Sequence, residues 1–233
     1  MAILSRGLRA GLLARAYRKL LHSFYANDLA IDLRLHAKRE AVEYIVAHMG
    51  EATMRRDRFD LLRFALARAP ADGLILEFGV EKGLSIRALA AGAGARTVHG
   101  FDSFQGLPED WTGTAEAKGA FDRRGRLPQV PGNVRLHVGW FDATLPAFLA
   151  AQDGTVALLH IDCDIYSSTR TVFGLLGARL VAGSVIVFDE YFNYPGWRGH
   201  EYKAFQEFVA SAGRSYRYLG YAAEKGHVAV ILL

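Results

Sequence analysis

Acidic residues close several apolar segments of this 233-residue chain. Asp162 follows V-A-L-L-H-I, Asp189 and Glu190 follow S-V-I-V-F, and Glu77 and Asp102 end or follow two earlier segments. Short apolar segments of this kind are typical of buried parallel strands. Because ligands bind at the carboxyl ends of such strands, we expect these acids to line one negatively charged cleft.

Four carboxylates are concentrated at two of these strand ends. Asp162 and Asp164 are two residues apart, and Asp189 and Glu190 are adjacent. Carboxylates brought together without partners repel one another, and a hard cation with oxygen ligands removes that conflict. We therefore predict a site for Mg²⁺ or a similar divalent ion, the alternative being that the acids cap the following helices. The single cysteine, Cys163, excludes a Cys-rich zinc site.

A second motif, E-F-G-V-E-K-G-L-S, runs from Glu77 to Ser85 and suits a nucleoside ligand. Gly79 lets the backbone turn tightly, and Gly83 opens a helix whose free N–H groups suit a carboxylate or a phosphate. Asp102 lies nineteen residues after Gly83, where an acid is placed to accept hydrogen bonds from ribose hydroxyls. The alternative is a turn whose glycines serve packing alone.

The chemistry of this turn favours S-adenosylmethionine over NAD. A dinucleotide turn has a middle glycine that makes room for pyrophosphate, and this turn has Glu81 and Lys82 instead. Glu77 would repel a diphosphate but can accept the ammonium group of an amino acid. Gly139, Trp140 and Phe141 follow the third strand, where an adenine ring can stack on an aromatic face, the alternative being an ordinary core anchor. The predicted cofactor-binding residues are Glu77, Phe78, Gly79, Gly83, Ser85, Asp102, Ser103, Gly139, Trp140, Phe141 and Asp162.

The elements that must position these residues divide the chain into two parts. Residues 1–70 are rich in alanine, leucine and arginine and predict a helical N-terminal extension ending at Pro70. Residues 71–233 alternate apolar segments with helices near 83–91, 167–180 and 200–212. This alternation predicts an α/β domain with a mostly parallel, doubly wound sheet, and seven segments predict seven strands. Residues 103–133 contain no clear element and are interpreted as a lid or substrate loop, or as disorder.

Composition limits the classes of partner. The net charge of +4 is misleading, because residues 1–22 carry five basic residues and no acid, which leaves the remainder at −1. A nucleic-acid groove is therefore not indicated. The basic segment predicts an amphipathic helix that docks on its own domain or on a second copy; the alternative is a membrane surface. We expect no membrane span and, with one cysteine, a cytoplasmic location.

The motifs taken together resemble a known family. E-F-G-V-E-K-G-L-S, G-F-D-S-F-Q-G-L-P-E-D-W, V-G-W-F-D-A-T-L-P, H-I-D-C-D-I-Y-S-S-T and V-F-D-E-Y look like the macrocin O-methyltransferase (TylF-like) family. Its studied members methylate sugar hydroxyls of macrolide and aminocoumarin antibiotics. The resemblance implies a Rossmann-like class I methyltransferase fold for residues 71–233 and a homodimer or larger homo-oligomer. It also implies metal ligation by Asp162, Asp189 and Glu190, with Asp164 as the general base.

These observations predict a metal-dependent S-adenosylmethionine O-methyltransferase that acts on a small-molecule hydroxyl, in a sugar or a natural-product diol, and releases S-adenosylhomocysteine. His200 is a candidate second base, the alternative being a histidine held by structural hydrogen bonds. The stretch from Tyr191 to Tyr202 departs from the antibiotic enzymes, so their particular sugars are not carried over. The competing interpretations are an NAD-dependent oxidoreductase and a non-catalytic cofactor-binding protein.

Overall fold

The computed structural model describes residues 12–17, 19 and 28–233. The predicted amphipathic helix over residues 1–22 therefore lies largely outside the described residues. The first complete helix, α1 (Leu29–His48), begins where the Asp28 carboxylate accepts the backbone N–H of Ala30 at 3.0 Å. Such a cap satisfies one of the free N–H groups at the start of a helix and fixes where the helix begins.

The remaining elements alternate between strands and helices. In chain order they are β1 (Thr53–Arg55), α2 (Arg58–Leu66), β2 (Leu74–Phe78), α3 (Leu84–Gly92), β3 (Val98–Asp102), β4 (Val134–Val138), α4 (Phe141–Ala151), β5 (Val156–Ile161), α5 (Tyr166–Leu176), β6 (Val185–Phe188), α6 (Glu201–Ser211), β7 (Tyr216–Ala222) and β8 (Val228–Leu232). The sheet order is β1-β7-β8-β6-β5-β2-β3-β4. Only β8 runs antiparallel to its neighbours, so the prediction of a mostly parallel α/β sheet is confirmed.

The predicted number of strands is wrong, because the sheet has eight. The extra strand is β1, which lies inside the segment predicted to be helical throughout and pairs in parallel with β7. Thr53 is the only β-branched residue of this three-residue strand, so its sequence carries almost no local signal. These residues form a strand because they pair with β7, not because of their local β propensity.

Helices cover both faces of the sheet, and the core is divided accordingly. One apolar cluster joins the sheet to α1, α4, α5 and α6, and the other joins it to α2 and α3. All six residues of β5 are buried, as expected for a central strand with helices on both faces. Within the described residues, no helix combines the length and apolarity needed to cross a bilayer.

One helix has no counterpart in the sequence analysis. Helix α4 follows β4 directly and contains Pro146 in its interior. Proline removes one backbone donor and usually interrupts a helix, which weakens the local helical pattern. The buried side chains of Leu145 and Phe148 anchor α4 to the core, so tertiary packing maintains the helix despite the proline.

A pair of histidines connects β3 and β4. The Nδ1 atom of His99 lies 3.1 Å from Nε2 of His137 on the adjacent strand. Partial burial lowers the pKa of His99 to about 4, with further lowering from His137 and Arg135, and burial also lowers the pKa of His137. The folded state therefore favours the neutral form of both rings.

We predict that acidification weakens the fold through this pair. A histidine in the unfolded chain binds a proton near pH 6.5, whereas folded His99 does so near pH 4, so the unfolded state holds more protons between these values. The free energy of unfolding contributed by His99 is present above about pH 6.5 and is lost as the pH falls toward about 4. Urea unfolding at about pH 7.5 and about pH 4.5 should show a smaller loss of stability in His99→Asn than in the parent. His36→Gln, an exposed position, should behave as the parent does, and an equal loss in all three proteins would contradict the prediction.

Candidate active site

A cavity of about 560 Å³ opens at the carboxyl ends of β2, β3, β5 and β6. Nine of the predicted site residues line it: Gly79, Asp102, Ser103, Trp140, Phe141, Asp162, Asp164, Asp189 and Glu190. Six predicted residues do not: Glu77, Phe78, Gly83, Ser85, Gly139 and His200. Its volume is that of ordinary small-molecule sites.

The turn after β2 approaches the end of β5 very closely. Gly79 has φ +92°, and a Cβ built on it would lie 1.6 Å from the carbonyl oxygen of Asp162. The Asp162 N–H in turn donates to the carbonyl of Phe78 at 2.8 Å. Only glycine permits this approach, which brings the predicted nucleoside turn and the acids of β5 into one cavity.

Asp102 fixes the geometry of the predicted nucleoside end. One carboxylate oxygen accepts the N–H groups of Val80 and Glu81, both at 2.8 Å, and the other accepts the N–H of Phe104 at 2.7 Å. The side chain therefore ties the turn after β2 to the beginning of the 103–133 loop. Carboxylate oxygens have further acceptor capacity toward the cavity, so ribose binding by Asp102 stays a prediction.

Glu77 lies beneath the cavity and has partners inside the protein. It is fully buried, with Oε1 accepting the Ser85 hydroxyl at 3.1 Å and Oε2 3.0 Å from Nδ1 of His160. Burial raises its pKa, and the contact with His160 opposes the rise. In this arrangement Glu77 orients His160, and its contact with a cofactor ammonium stays a prediction.

The three acids predicted to bind a metal, Asp162, Asp189 and Glu190, all line the cavity. Ligand atoms of His160, Asp162 and Asp189 all lie within 4.8 Å of one another. Burial and the charge of Asp189 raise the pKa of Asp162 well above its ordinary value. A cation bound here would lower that pKa, so the donor set fits a divalent ion. Glu190 lines the same cavity but does not belong to this group.

Asp189 differs from the other acids because a histidine and an arginine lie beside its two carboxylate oxygens. His227 Nδ1 lies 2.9 Å from one carboxylate oxygen, and Arg58 Nη1 lies 3.7 Å from the other. Burial alone would raise its pKa, but His227, His160 and Arg58 lower it to about 2. Asp189 is therefore the acid of this cluster whose anionic form the protein itself stabilises.

Asp164 and Glu190 flank the cluster as buried acids with the opposite behaviour. Burial, followed by the charge of Asp189, raises the pKa of Asp164 to about 7 and that of Glu190 to about 8. Asp164 also has φ +64°, a left-handed conformation that is uncommon for a residue with a side chain. Such conformations concentrate at functional sites, where the surrounding structure maintains them.

The loop over residues 103–133 contains no helix or strand and closes one end of the cavity. Leu107 and Trp111 are buried against Ile165, and Phe121 also lines the cavity. His200 ties this loop to α6, because its Nε2 donates to the Thr112 carbonyl at 2.8 Å. The substrate role of the loop and the role of His200 as a base stay predictions.

Several groups in or beside the cavity were missed by sequence reasoning. His160 belongs to the H-I-D-C-D motif, and strand alternation would have placed it on the same face as Asp162. Arg58 comes from the N-terminal extension and Lys225 from the β7–β8 connection, and nothing local in the sequence connects either to the acids. His227 precedes Val228, which pairs with Phe188, so its position beside Asp189 follows only from the register.

A family profile described as "Methyltransferase domain" matches residues 76–191, from within β2 to just beyond the acids after β6. Residues 76–191 are thus similar to methyltransferase domains. The matched segment includes the turn after β2, Asp102 and the acids that follow β5 and β6, but not His227 or Arg58. The fold also resembles solved methyltransferases: calicheamicin methyltransferase CalS11 has TM-score 0.58 and 24% identity over 88% of this chain and 83% of that chain. The O-methyltransferase NovP has TM-score 0.53 and 24% identity, and the match covers 75% of this chain and 78% of NovP.

Two curated proteins resemble this chain at the sequence level. One, from Streptomyces olivaceus, is an 8-demethyl-8-(2,3-dimethoxy-alpha-L-rhamnosyl)-tetracenomycin-C 4'-O-methyltransferase, 33% identical over 58% of this chain and 60% of its own length. The other is demethyldecarbamoylnovobiocin O-methyltransferase from Streptomyces niveus. It is 32% identical over 43% of this chain and 44% of its own length. The matches thus span less than two thirds of either relative.

We predict that Gly79→Ala disrupts the cavity. The new methyl group would overlap the Asp162 carbonyl, and the positive φ is strained for alanine. The free energy of unfolding should fall by more than about 1 kcal/mol, measured by urea denaturation. Gly50→Ala is the matched control, because a Cβ there meets nothing within 4 Å. Equal stabilities of the two variants would refute the close approach.

Proposed function

We propose that this protein transfers the methyl group of S-adenosylmethionine to a hydroxyl of a small-molecule acceptor with the help of a divalent cation. The observation that carries the proposal is a cavity lined both by the predicted nucleoside turn and by Asp162 and Asp189, whose carboxylates lie within 4.8 Å of a ligand atom of His160. The match to a methyltransferase domain and the names of the two curated relatives support methyl transfer to oxygen.

The metal part of the proposal rests on the donor set. Asp162 and Asp189 supply carboxylate oxygens, and Glu190 is the third ligand predicted from the sequence. His160 has Nδ1 occupied by Glu77, which leaves Nε2 as its ligand atom. When bound, the ion supplies Lewis acidity that lowers the pKa of a coordinated substrate hydroxyl. A mixed nitrogen and oxygen set accommodates Mn²⁺ as well as Mg²⁺.

The cofactor part follows from the opposite end of the cavity. Asp102 offers acceptor oxygens for ribose, and Trp140 offers a partly exposed aromatic face for adenine. The Gly79 turn brings the backbone to the cavity wall between that end and Asp162. Asp102, Trp140 and the Gly79 turn would hold the cofactor in the same cavity as the acids.

Asp164 is the proposed general base. It lines the cavity beside the cluster, and its carboxylate takes the proton of the acceptor hydroxyl. The acceptor oxygen then forms a bond to the methyl carbon as the bond from carbon to sulfur breaks, which releases S-adenosylhomocysteine. Holding the two reactants in line in one cavity lowers the entropic part of the barrier.

The relatives suggest the class of acceptor. Their names describe methylation of a rhamnosyl tetracenomycin and of a novobiocin precursor, both hydroxylated natural products. We therefore propose a sugar or natural-product diol as the acceptor, and membership of the macrocin O-methyltransferase family. A homo-oligomeric state remains a prediction of that membership.

We predict that Asp164→Asn abolishes turnover. An amide cannot take the hydroxyl proton, so the rate of S-adenosylhomocysteine formation with a panel of diols should fall by about 100-fold or more. Calorimetry should show nearly unchanged affinity for S-adenosylhomocysteine, because the cofactor end is intact. Asp153→Asn, an exposed aspartate between α4 and β5, should retain full turnover. Retained turnover in the Asp164 variant would remove this residue from the mechanism.

We also predict a direct loss of metal affinity in Asp189→Asn. The variant removes one anionic ligand from the group within 4.8 Å, so Mn²⁺ affinity measured by electron paramagnetic resonance should fall by about tenfold or more. Chelation of the parent protein should stop turnover, and Mg²⁺ or Mn²⁺ should restore it. Asp153→Asn again serves as the control. Equal Mn²⁺ affinity in both variants would show that Asp189 is not a ligand.

A further inference from the structure

Glu201 is a buried acid outside the cavity that contacts two of the acid-bearing loops. It is the first residue of α6, is 0% exposed and does not line the cavity. Its Oε1 accepts the backbone N–H of Asp164 at 3.2 Å, and its Oε2 accepts the backbone N–H of Glu190 at 3.1 Å. One carboxylate therefore bridges the loop after β5 and the loop after β6.

The bridge lies where the sheet can no longer hold these loops together. The last backbone bond between the two strands is donated by Asp189 N–H to the Ile161 carbonyl at 2.9 Å. Beyond it the chain separates into two loops, and buried N–H groups there need other acceptors. The Glu201 carboxylate provides these acceptors, and so connects the two loops just beyond the last hydrogen bond between β5 and β6.

The conformation of Asp164 requires such support. Its left-handed backbone, φ +64°, costs about 1–2 kcal/mol for a residue with a side chain. The bond to Glu201 and the short bond from Ile165 N–H to the Cys163 carbonyl, at 2.7 Å, maintain it. The direction of the Asp164 side chain into the cavity depends on that backbone conformation.

Stability does not account for a carboxylate at this position. Among the described residues, no lysine or arginine forms an ion pair with Glu201, and Asp164, Asp189 and Glu190 surround it with like charge. Burying a carboxylate without a cationic partner is unfavourable, and an apolar side chain of similar volume would serve packing better. The two N–H bonds are what the carboxylate provides and an apolar side chain cannot.

We propose that Glu201 is a positioning residue that fixes the backbones of Asp164 and Glu190 relative to each other and so aligns the base with the metal-binding acids. Its effect on catalysis rests on the function proposed above, whereas its effect on the two loops does not. A carboxylate is required because both of its oxygens accept hydrogen bonds, while a glutamine amide has only one oxygen.

The experiment compares Glu201→Gln with the parent by two measurements. Amide-resolved hydrogen exchange reports the two N–H groups directly, and we expect exchange at Asp164 or Glu190 to accelerate by about tenfold or more. With S-adenosylmethionine, metal and a diol acceptor, kcat should fall by about tenfold or more, while the affinity for S-adenosylhomocysteine stays within about twofold.

Two variants on the same helix are the controls. Phe205→Leu removes part of a fully buried ring and should lower stability without accelerating exchange at these two amides beyond the global unfolding rate. Glu207→Gln makes the same chemical change at a half-exposed position and should leave both measurements unchanged. If Glu201→Gln does not fold, Glu201→Asp replaces it. This variant keeps both acceptor oxygens on a shorter side chain and should accelerate exchange at the two amides by less than we expect for Glu201→Gln.

The outcomes separate the two proposals. Unchanged exchange at both amides in Glu201→Gln would overturn the positioning role. If only Glu201→Asp folds, unchanged exchange in that variant would overturn it. Equal acceleration of exchange at these amides in Phe205→Leu would also overturn it. Accelerated exchange with unchanged kcat would overturn its catalytic consequence. If the parent transfers no methyl group to any acceptor, the proposed function fails, and the exchange measurement still decides whether Glu201 holds the loops.

Discussion

Mutual repulsion among buried carboxylates is the constraint on which the site depends. The carboxyl ends of β5 and β6 bring acids into a region where water is scarce, and charges there cost more than at the surface. The protein neutralises only part of this charge by itself. His227 and Arg58 stabilise Asp189 as an anion, whereas no lysine or arginine in the described part of the chain forms an ion pair with Asp162. A divalent ion between them would supply the missing charge, and this is the physical reason for the proposed metal site.

Backbone geometry makes this crowding unavoidable. Gly79 lets the turn after β2 contact the carbonyl of Asp162, and the same turn is held by Asp102. The proposed cofactor end and the acidic end are therefore connected by direct backbone contact at the edge of the sheet. A substitution that moves the β2 turn is expected to move Asp162 as well, so the proposed cofactor and metal sites should change together.

Residues placed by the periodic pattern of apolar segments were predicted from the sequence. Residues placed by strand register or by the packing of distant elements were missed. Apolar segments closed by acids were sufficient to place Asp162 and Asp189 at one edge, because parallel strands end together. The three residues of β1 were missed because their propensity is weak and their pairing partner is remote in sequence. His227 and Glu201 reach the site only through the antiparallel pairing of β8 and the start of α6, which no local pattern encodes.

Residues that precede β2 take part in the site despite their separation in sequence. Arg58 at the start of α2 reaches Asp189, and β1 adds a strand to the far edge of the sheet. The hydroxyl of Tyr44 on α1 lies 2.6 Å from that of Tyr218, which in turn lies 2.8 Å from that of Tyr191, the residue after Glu190. This buried hydroxyl network fixes α1 against the segment that carries the acids. Because Arg58 helps keep Asp189 charged, removal of the extension would be expected to change the acid cluster as well as the stability of the sheet.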